Sequence, residues 1–67
     1  MIYWFEVIYY RRDNPVSVSR YLAKIYCRLP NYANNLYHNA IDAFMRDINQ
    51  KDEFEIQAVT FIKAVAM

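Results

Sequence analysis

The sequence predicts an α+β fold, in which a three-stranded antiparallel sheet carries one helix on one of its faces. Three patterns lead to this prediction: an apolar strand pattern at residues 2–10, a helical pattern over about 32–49 and an alternating pattern from residue 53. With a second strand before the helix, the element order is β-β-α-β. A chain of 67 residues makes at most one domain, so we expect residues 1–67 to form a single small domain.

The first strand is the stretch around which the rest of the chain must be arranged. Eight of the nine residues 2–10 are aliphatic or aromatic, and most belong to the β-branched and aromatic types that favour strands. Successive side chains of a strand point to opposite faces, and here both faces are apolar, with Glu6 as the one charged residue. A strand that is apolar on both faces is typical of the centre of a sheet. We therefore expect a neighbouring strand on each side.

Residues 16–29 fit two patterns, and the choice between them decides the fold. As a strand, this segment places Arg20, Lys24 and Arg28 on one face. As a helix, it would be capped by Asn14 and would give the alternative order β-α-α-β. That alternative leaves only two strands, and a two-stranded sheet is marginal in water. The architecture therefore favours the strand, although local signals fit both interpretations.

The second half of the chain contains the clearest helical pattern. Apolar residues recur at helical spacing over about 32–49, and polar residues cover the opposite side. Phe54, Ile56 and Ala58 then alternate with polar residues, which predicts a strand with one wet face. The alternation breaks after Val59, and a β-bulge would explain that change of phase. We expect this last strand beside the first, which gives the spatial order 2-1-3 with antiparallel neighbours.

Composition narrows the classes of function. The net charge is only +1, and 57% of the residues are hydrophobic, with seven tyrosines, four phenylalanines and one tryptophan. Such a chain is too apolar for disorder and lacks the basic excess that is usual in nucleic-acid-binding domains. The single cysteine excludes an internal disulfide and fits a reducing compartment. No apolar stretch approaches the roughly 20 residues that cross a bilayer, and the start is unlike a signal peptide, so we expect a cytoplasmic protein (in the host cytoplasm if phage-encoded) without a membrane partner.

No residue pattern predicts catalysis, a metal or a cofactor. Glycine is absent, which rules out a glycine-rich phosphate loop. His38 and Asp42 have the i, i+4 spacing of one helix face, but a zinc site needs three or four ligands. No base is predicted beside Cys27, so we expect it to be a small buried side chain. We therefore expect a protein that is not an enzyme and that binds no cofactor.

The candidate binding surface is a basic and aromatic set that is centred on the first two strands. In the strand interpretation it lies on the sheet face away from the helix, because one helix cannot cover both apolar faces of the first strand. Glu6 would either pair with a cation on the next strand or lie in the contact surface. Tryptophan, tyrosine and arginine dominate the contact energy of protein interfaces. The predicted partner-binding residues are Trp4, Glu6, Tyr10, Arg11, Arg12, Arg20, Lys24, Tyr26 and Arg28.

The leading hypothesis is a small non-enzymatic inhibitor or modulator that binds another protein and blocks it. Its size class suits a phage or mobile-element protein directed at a host protein, such as a CRISPR-type defence complex or a transcription complex, although no motif identifies the target. Two alternatives use the same face. As a nucleic-acid-binding module, it would hold phosphates with its cations while bases stack on its aromatic rings. As a homodimeric interaction domain, it would bind its own copy.

Overall fold

The described part of the chain contains three strands and one α-helix in the order that the sequence predicts. The computed structural model describes residues 1–27, 36–48 and 51–66. The last two residues of the predicted second strand and both ends of the predicted helix therefore lie outside the described residues. Of the helices in these ranges, none has the length and apolar run that crossing a membrane requires. The elements are β1 (Ile2–Arg11), β2 (Asn14–Tyr26), α1 (Leu36–Asp47), a short 3-10 turn (Lys51–Glu53) and β3 (Phe54–Val65).

β1 is the central strand, as its two apolar faces predict. The strand order is β2-β1-β3, and both pairs are antiparallel, which confirms the predicted order 2-1-3. The alternative order β-α-α-β is wrong, because Asn14 and the residues that follow it belong to a strand. Pro15 is tolerated within β2 because β2 is an edge strand, where a missing N–H group needs no partner in the ladder.

The hairpin between β1 and β2 turns without any residue in the left-handed region. Hairpins with two-residue loops usually need positive φ, and in a chain without glycine the residues that adopt it most readily are asparagine and aspartate. None of the described residues has positive φ. Instead, the register shifts at the end of the ladder: Tyr10 pairs with Val18, but Arg11 pairs with Asn14. The extra residues of β2 at this shift make the turn possible with ordinary backbone angles.

α1 packs on the sheet face that carries the odd-numbered side chains of β1. The ring of Phe5 lies 4.9 Å from the ring of Tyr37, and the ring of Tyr9 lies 4.7 Å from that of Phe44. These contacts follow from the apolar stripe that the helical spacing predicts. The buried apolar residues are Tyr3, Phe5, Val7 and Ala23 of the sheet and Leu36, Ala40, Ala43 and Phe44 of the helix.

β3 changes phase twice along β1. Its register passes over Gln57 and again over Ile62. The irregularity at Ile62 confirms the bulge predicted after Val59. The irregularity at Gln57 was not predicted. One extra residue there turns the following side chains, up to the next bulge, to the other face, so the prediction that Ala58 shares a face with Ile56 is wrong. Ala58 therefore lies on the face opposite to Ile56.

α1 covers only part of the sheet, even on its own face. Its 12 residues rise about 1.5 Å each and give a length of about 18 Å, whereas the molecule extends over 39 Å. Residues 11–20, at the hairpin end, are all exposed, and Val16 is 89% exposed. The small core therefore lies at the end of the sheet where the helix crosses β1.

Phe5 is the residue on which this core depends most. Its fully buried ring contacts Tyr37 and also Phe61, at 5.5 Å between ring centroids. Truncating such a ring costs about 3–5 kcal/mol, and the net stability of so small a domain is about 3–5 kcal/mol. We expect Phe5→Ala to be largely unfolded in water, whereas Phe5→Leu keeps a cooperative transition. Urea denaturation followed by circular dichroism measures both; an unchanged midpoint for Phe5→Ala would contradict this account of the core.

Tyr21 ties the end of α1 to β2. Its hydroxyl donates a hydrogen bond to the Asp47 carboxylate and lies 3.4 Å from the carbonyl oxygen of Ala43. Its ring lies 5.6 Å from that of Phe44. Burial, and then the hydrogen bond to Asp47, raise the pKa of Tyr21 above its ordinary value of 10.0. The contact therefore stabilises the fold while the phenol is protonated.

We expect Tyr21→Phe to lower the free energy of unfolding by about 1 kcal/mol at neutral pH, because one hydrogen bond to a carboxylate is lost. A raised folded-state pKa contributes stability below the unfolded pKa, and this contribution is lost as the pH rises through the folded pKa. The difference between wild type and variant should therefore shrink above about pH 10. Urea denaturation at several pH values tests this. The pKa of Tyr10 is also raised, but Tyr10 is present in both proteins, so its effect cancels in the comparison. A stability difference between wild type and variant that grows with pH would contradict the expectation.

Candidate binding face

The sheet face opposite to α1, which we call the open face, carries the even-numbered side chains of β1. Directly paired residues of antiparallel strands point to the same face, so the register assigns residues of β2 and β3 to it as well. The open face carries Ile2, Trp4, Glu6, Ile8 and Tyr10 of β1, Val18, Arg20, Leu22, Lys24 and Tyr26 of β2, and Glu55, Ala58, Thr60, Ile62, Lys63 and Val65 of β3.

Most of the predicted partner-binding residues lie on the open face. Arg11 and Arg12 lie outside it, at the hairpin end, and Arg28 lies outside the described residues. The predicted residues that the register brings together on the open face are Trp4, Glu6, Tyr10, Arg20, Lys24 and Tyr26.

Arg11 and Arg12 are engaged by acidic side chains. Arg11 Nε lies 3.1 Å from Asp13 Oδ1, and its Nη2 lies 3.4 Å from Glu53 Oε2. Arg12 Nε lies 3.4 Å from Glu55 Oε1. The hydrogen bond from Arg11 holds the pKa of Asp13 below its usual range. The fold brings Glu53 and Glu55 of the chain's second half back to the hairpin, where they pair with these two arginines away from Arg20 and Lys24. Whether Arg11 and Arg12 contact a partner stays a prediction.

Trp4 lies between two lysines at the centre of the open face. Lys24 Nζ of β2 lies 5.2 Å from the centroid of the Trp4 ring, and Lys63 Nζ of β3 lies 5.7 Å from it. Lys24 Nζ also lies 5.6 Å from the ring of Tyr26. A cation over an aromatic ring contributes about 0.5–1 kcal/mol at an exposed site. The two lysines come from the strands on either side of β1, and Trp4 between them is half-buried.

Apolar side chains around this lysine–tryptophan–lysine cluster are exposed. Leu22 is 55% exposed, Tyr26 is 62% exposed and Ile62 is 46% exposed. Exposed apolar patches with a charged rim mark interaction sites more often than ordinary surface. A shallow depression of about 320 Å³ in this region is lined by Trp4, Leu22, Ile62 and Lys63.

Glu6 lies at the centre of the open face, beside the cluster. Its direct partners in the register are Leu22 of β2 and Thr60 of β3. None of the ion pairs found within the described ranges includes Glu6, so the predicted cross-strand ion pair is not formed there. The reason is the register, which places an apolar residue directly opposite the carboxylate. Its alternative role in a contact surface stays a prediction.

Cations prevail on the open face outside its hairpin end. Glu55 is engaged at that end, because its Oε2 accepts a hydrogen bond of 2.7 Å from Tyr10 and its Oε1 pairs with Arg12. The hydrogen bond to Glu55 raises the pKa of Tyr10. The remaining charged side chains of this face are Glu6 and the cations Arg20, Lys24 and Lys63.

The contribution of β3 to the open face was not predicted from the sequence. Ile62 lies on this face because the bulge at Gln57 reverses the alternation. The bulge at Ile62 reverses it again, so the next residue, Lys63, lies on the same face and opposite Trp4. The available signal was the break after Val59, which indicates a bulge but does not give the register opposite β1. Leu22 lies between Arg20 and Lys24 on the same face of β2, whereas the predicted binding residues include no aliphatic side chain.

The other candidate chemistry of the sequence does not form a site. His38 and Asp42 are exposed on α1. Within the described ranges, no group of three or more histidine, cysteine, aspartate or glutamate residues is placed to hold a metal ion. Cys27 packs against the core but is only half-buried, whereas we expected a buried side chain. It is less buried than expected because it follows the last residue of an edge strand.

Two neighbouring residues of β2 test the assignment of the faces. Leu22 points to the open face, whereas Ala23 is 0% exposed beneath α1. We expect Leu22→Gln to change the free energy of unfolding by no more than about 0.5 kcal/mol. Ala23→Gln forces a larger polar side chain into the core and should cost about 1–3 kcal/mol. Chemical denaturation measures both, and comparable losses would show that the open face belongs to the core.

Comparison of the chain with protein-family models, with curated proteins and with solved structures finds no match. The functional argument therefore rests on the residues of the open face.

Proposed function

We propose that this chain is a non-enzymatic protein-binding protein, which docks its open face on another protein and thereby blocks or modulates it. The observation that carries the proposal is the exposed apolar centre of this face, where Leu22 and Ile62 lie beside Trp4. α1 packs on the other face, so a surface of this kind is left to a partner. Covering it would remove apolar area from water, which is the main driving force of protein association.

The residue types of the open face support this proposal. Trp4, the neighbouring Tyr26 and, farther along β2, Arg20 belong to the types that dominate binding energy in interfaces. Rigid aromatic side chains supply contact area at a low cost in conformational entropy. They lie on strands that are hydrogen-bonded within the sheet, which holds them in a fixed arrangement before binding.

A nucleic-acid partner is supported less well by the same geometry. Bases stack on aromatic side chains whose ring faces are accessible, but both Lys24 and Lys63 place their ammonium groups over the ring of Trp4. Arg11 and Arg12, which were expected to extend the basic surface, are engaged by carboxylates. We therefore favour a protein as the partner.

The proposal extends to a class of protein. A small aromatic chain without a catalytic motif suits a phage or mobile-element inhibitor that is directed at a host defence complex, such as a CRISPR-type effector, or at a transcription complex. This extension comes from the size and composition of the chain, and no residue of the open face selects among these targets. Action in the cytoplasm and the lack of enzymatic activity are parts of the same proposal.

Site-specific photo-crosslinking tests the proposed function. A photoreactive phenylalanine analogue replaces Leu22 on the open face, and a matched control protein carries it at His38, which is exposed on α1. Both proteins are added to lysate of the cells in which the gene is expressed. We expect one protein adduct from position 22 and none from position 38. Excess unlabelled wild type should suppress the adduct, and unlabelled Trp4→Ala should compete about tenfold less well, as expected for a central interface residue.

Three results of the crosslinking experiment would count against the proposal. Equal labelling from the two positions would show that the open face is not the binding surface. Adducts with nucleic acid alone would favour the nucleic-acid-binding module. Adducts of the chain with itself alone would favour the homodimer.

A further inference from the structure

We propose that the partner surface recognised by the open face is both apolar and acidic, with carboxylates that meet Lys24 and Lys63 and an apolar side chain that enters the depression between Leu22 and Ile62. This inference rests on the proposed function and specifies the chemistry of its partner. It is carried by the placement of two ammonium groups beside an exposed apolar depression.

The charge of the open face selects an acidic partner. Arg20, Lys24 and Lys63 are its cations, whereas Glu6 is the carboxylate near its centre. Glu55, at the hairpin end, is already engaged by a tyrosine hydroxyl and an arginine. Complementary potentials across an interface steer association and exclude wrong partners. A partner patch that is rich in aspartate or glutamate matches this surplus of positive charge.

The desolvation of the two lysines strengthens the same conclusion. An ammonium group has three donors, and a buried charge is costly unless it is paired and hydrogen-bonded. The Trp4 ring attracts Lys24 and Lys63 electrostatically but cannot accept a full set of hydrogen bonds from them. A purely apolar partner would cover both ammonium groups and leave them without acceptors. A partner with carboxylates beside its apolar contact provides those acceptors.

A second copy of the chain fits this surface less well. Face-to-face pairing would bring the Arg20, Lys24 and Lys63 side chains of two copies together, and each copy offers Glu6 as its central carboxylate.

Trp4 is the single tryptophan and lies on the open face, so its fluorescence reports directly on binding there. The probes are a short capped peptide in which aspartates alternate with leucine and isoleucine, and its isostere with asparagine in place of each aspartate. We expect a saturable change in Trp4 emission with the acidic peptide and a weaker affinity for the isostere. Binding of the acidic peptide should weaken as salt is added, because exposed charges are screened.

Variants identify the residues that bind the acidic groups. The double variant Lys24→Gln with Lys63→Gln should bind the acidic peptide about fivefold more weakly, as expected for the loss of two exposed ion pairs. Arg46→Gln removes one positive charge from the helix side and should bind like wild type. Circular dichroism of each variant confirms that it is folded. Oligothymidylate is the nucleic-acid probe, and light scattering measures self-association.

The inference is overturned by equal affinity for the two peptides, by no saturable binding of either, or by a double variant that binds like wild type. It is also overturned if oligothymidylate binds more tightly than the acidic peptide or if self-association alone changes Trp4 emission. The peptide and variant results leave the proposed function intact, since that fails separately if the crosslinker at position 22 captures no protein.

Discussion

The central strand has to be sheltered on two faces, and the described part of the chain has one helix with which to do it. β1 is hydrogen-bonded along both edges, and its odd-numbered side chains Tyr3, Phe5 and Val7 are buried on the face that carries α1. On the other face, the register places side chains of β2 and β3 beside Trp4 and Ile8, and α1 lies on the opposite side. Burial of apolar area dominates folding, so this asymmetry determines both where the core forms and which surface is left over.

On the open face, which lies away from α1, two lysines partly shield Trp4. Their ammonium groups lie 5.2 Å and 5.7 Å from the centroid of the Trp4 ring, so both side chains cover part of it. Charged side chains over the sheet also oppose uncontrolled pairing with other strands, and β2 and β3 each leave one edge of the sheet unpaired. The same cations that keep the isolated chain dispersed give the open face its charge.

The parts of the fold that could be predicted from sequence are those with a strong local period. β1 and α1 show such patterns, and the strand order follows from the two apolar faces of β1. The lysine opposite Trp4 on β3 could not be predicted, because Lys63 reaches that position only after the bulge at Ile62. The ion pair between Arg12 and Glu55 could not be predicted either. The two residues lie far apart in sequence and meet because the start of β3 lies beside the hairpin.

The glycine-free hairpin bears on the unfolded state as well as on the folded one. Every residue of this chain has a side chain that restricts its backbone, and the described residues fold without positive φ. Glycine loses the most conformational freedom on folding, so a chain that lacks it has a less disordered starting ensemble. That lower entropic cost offsets part of the shortage of buried surface in so small a molecule. It helps to explain how a sheet that has one helix against it, in the described part of the chain, remains ordered.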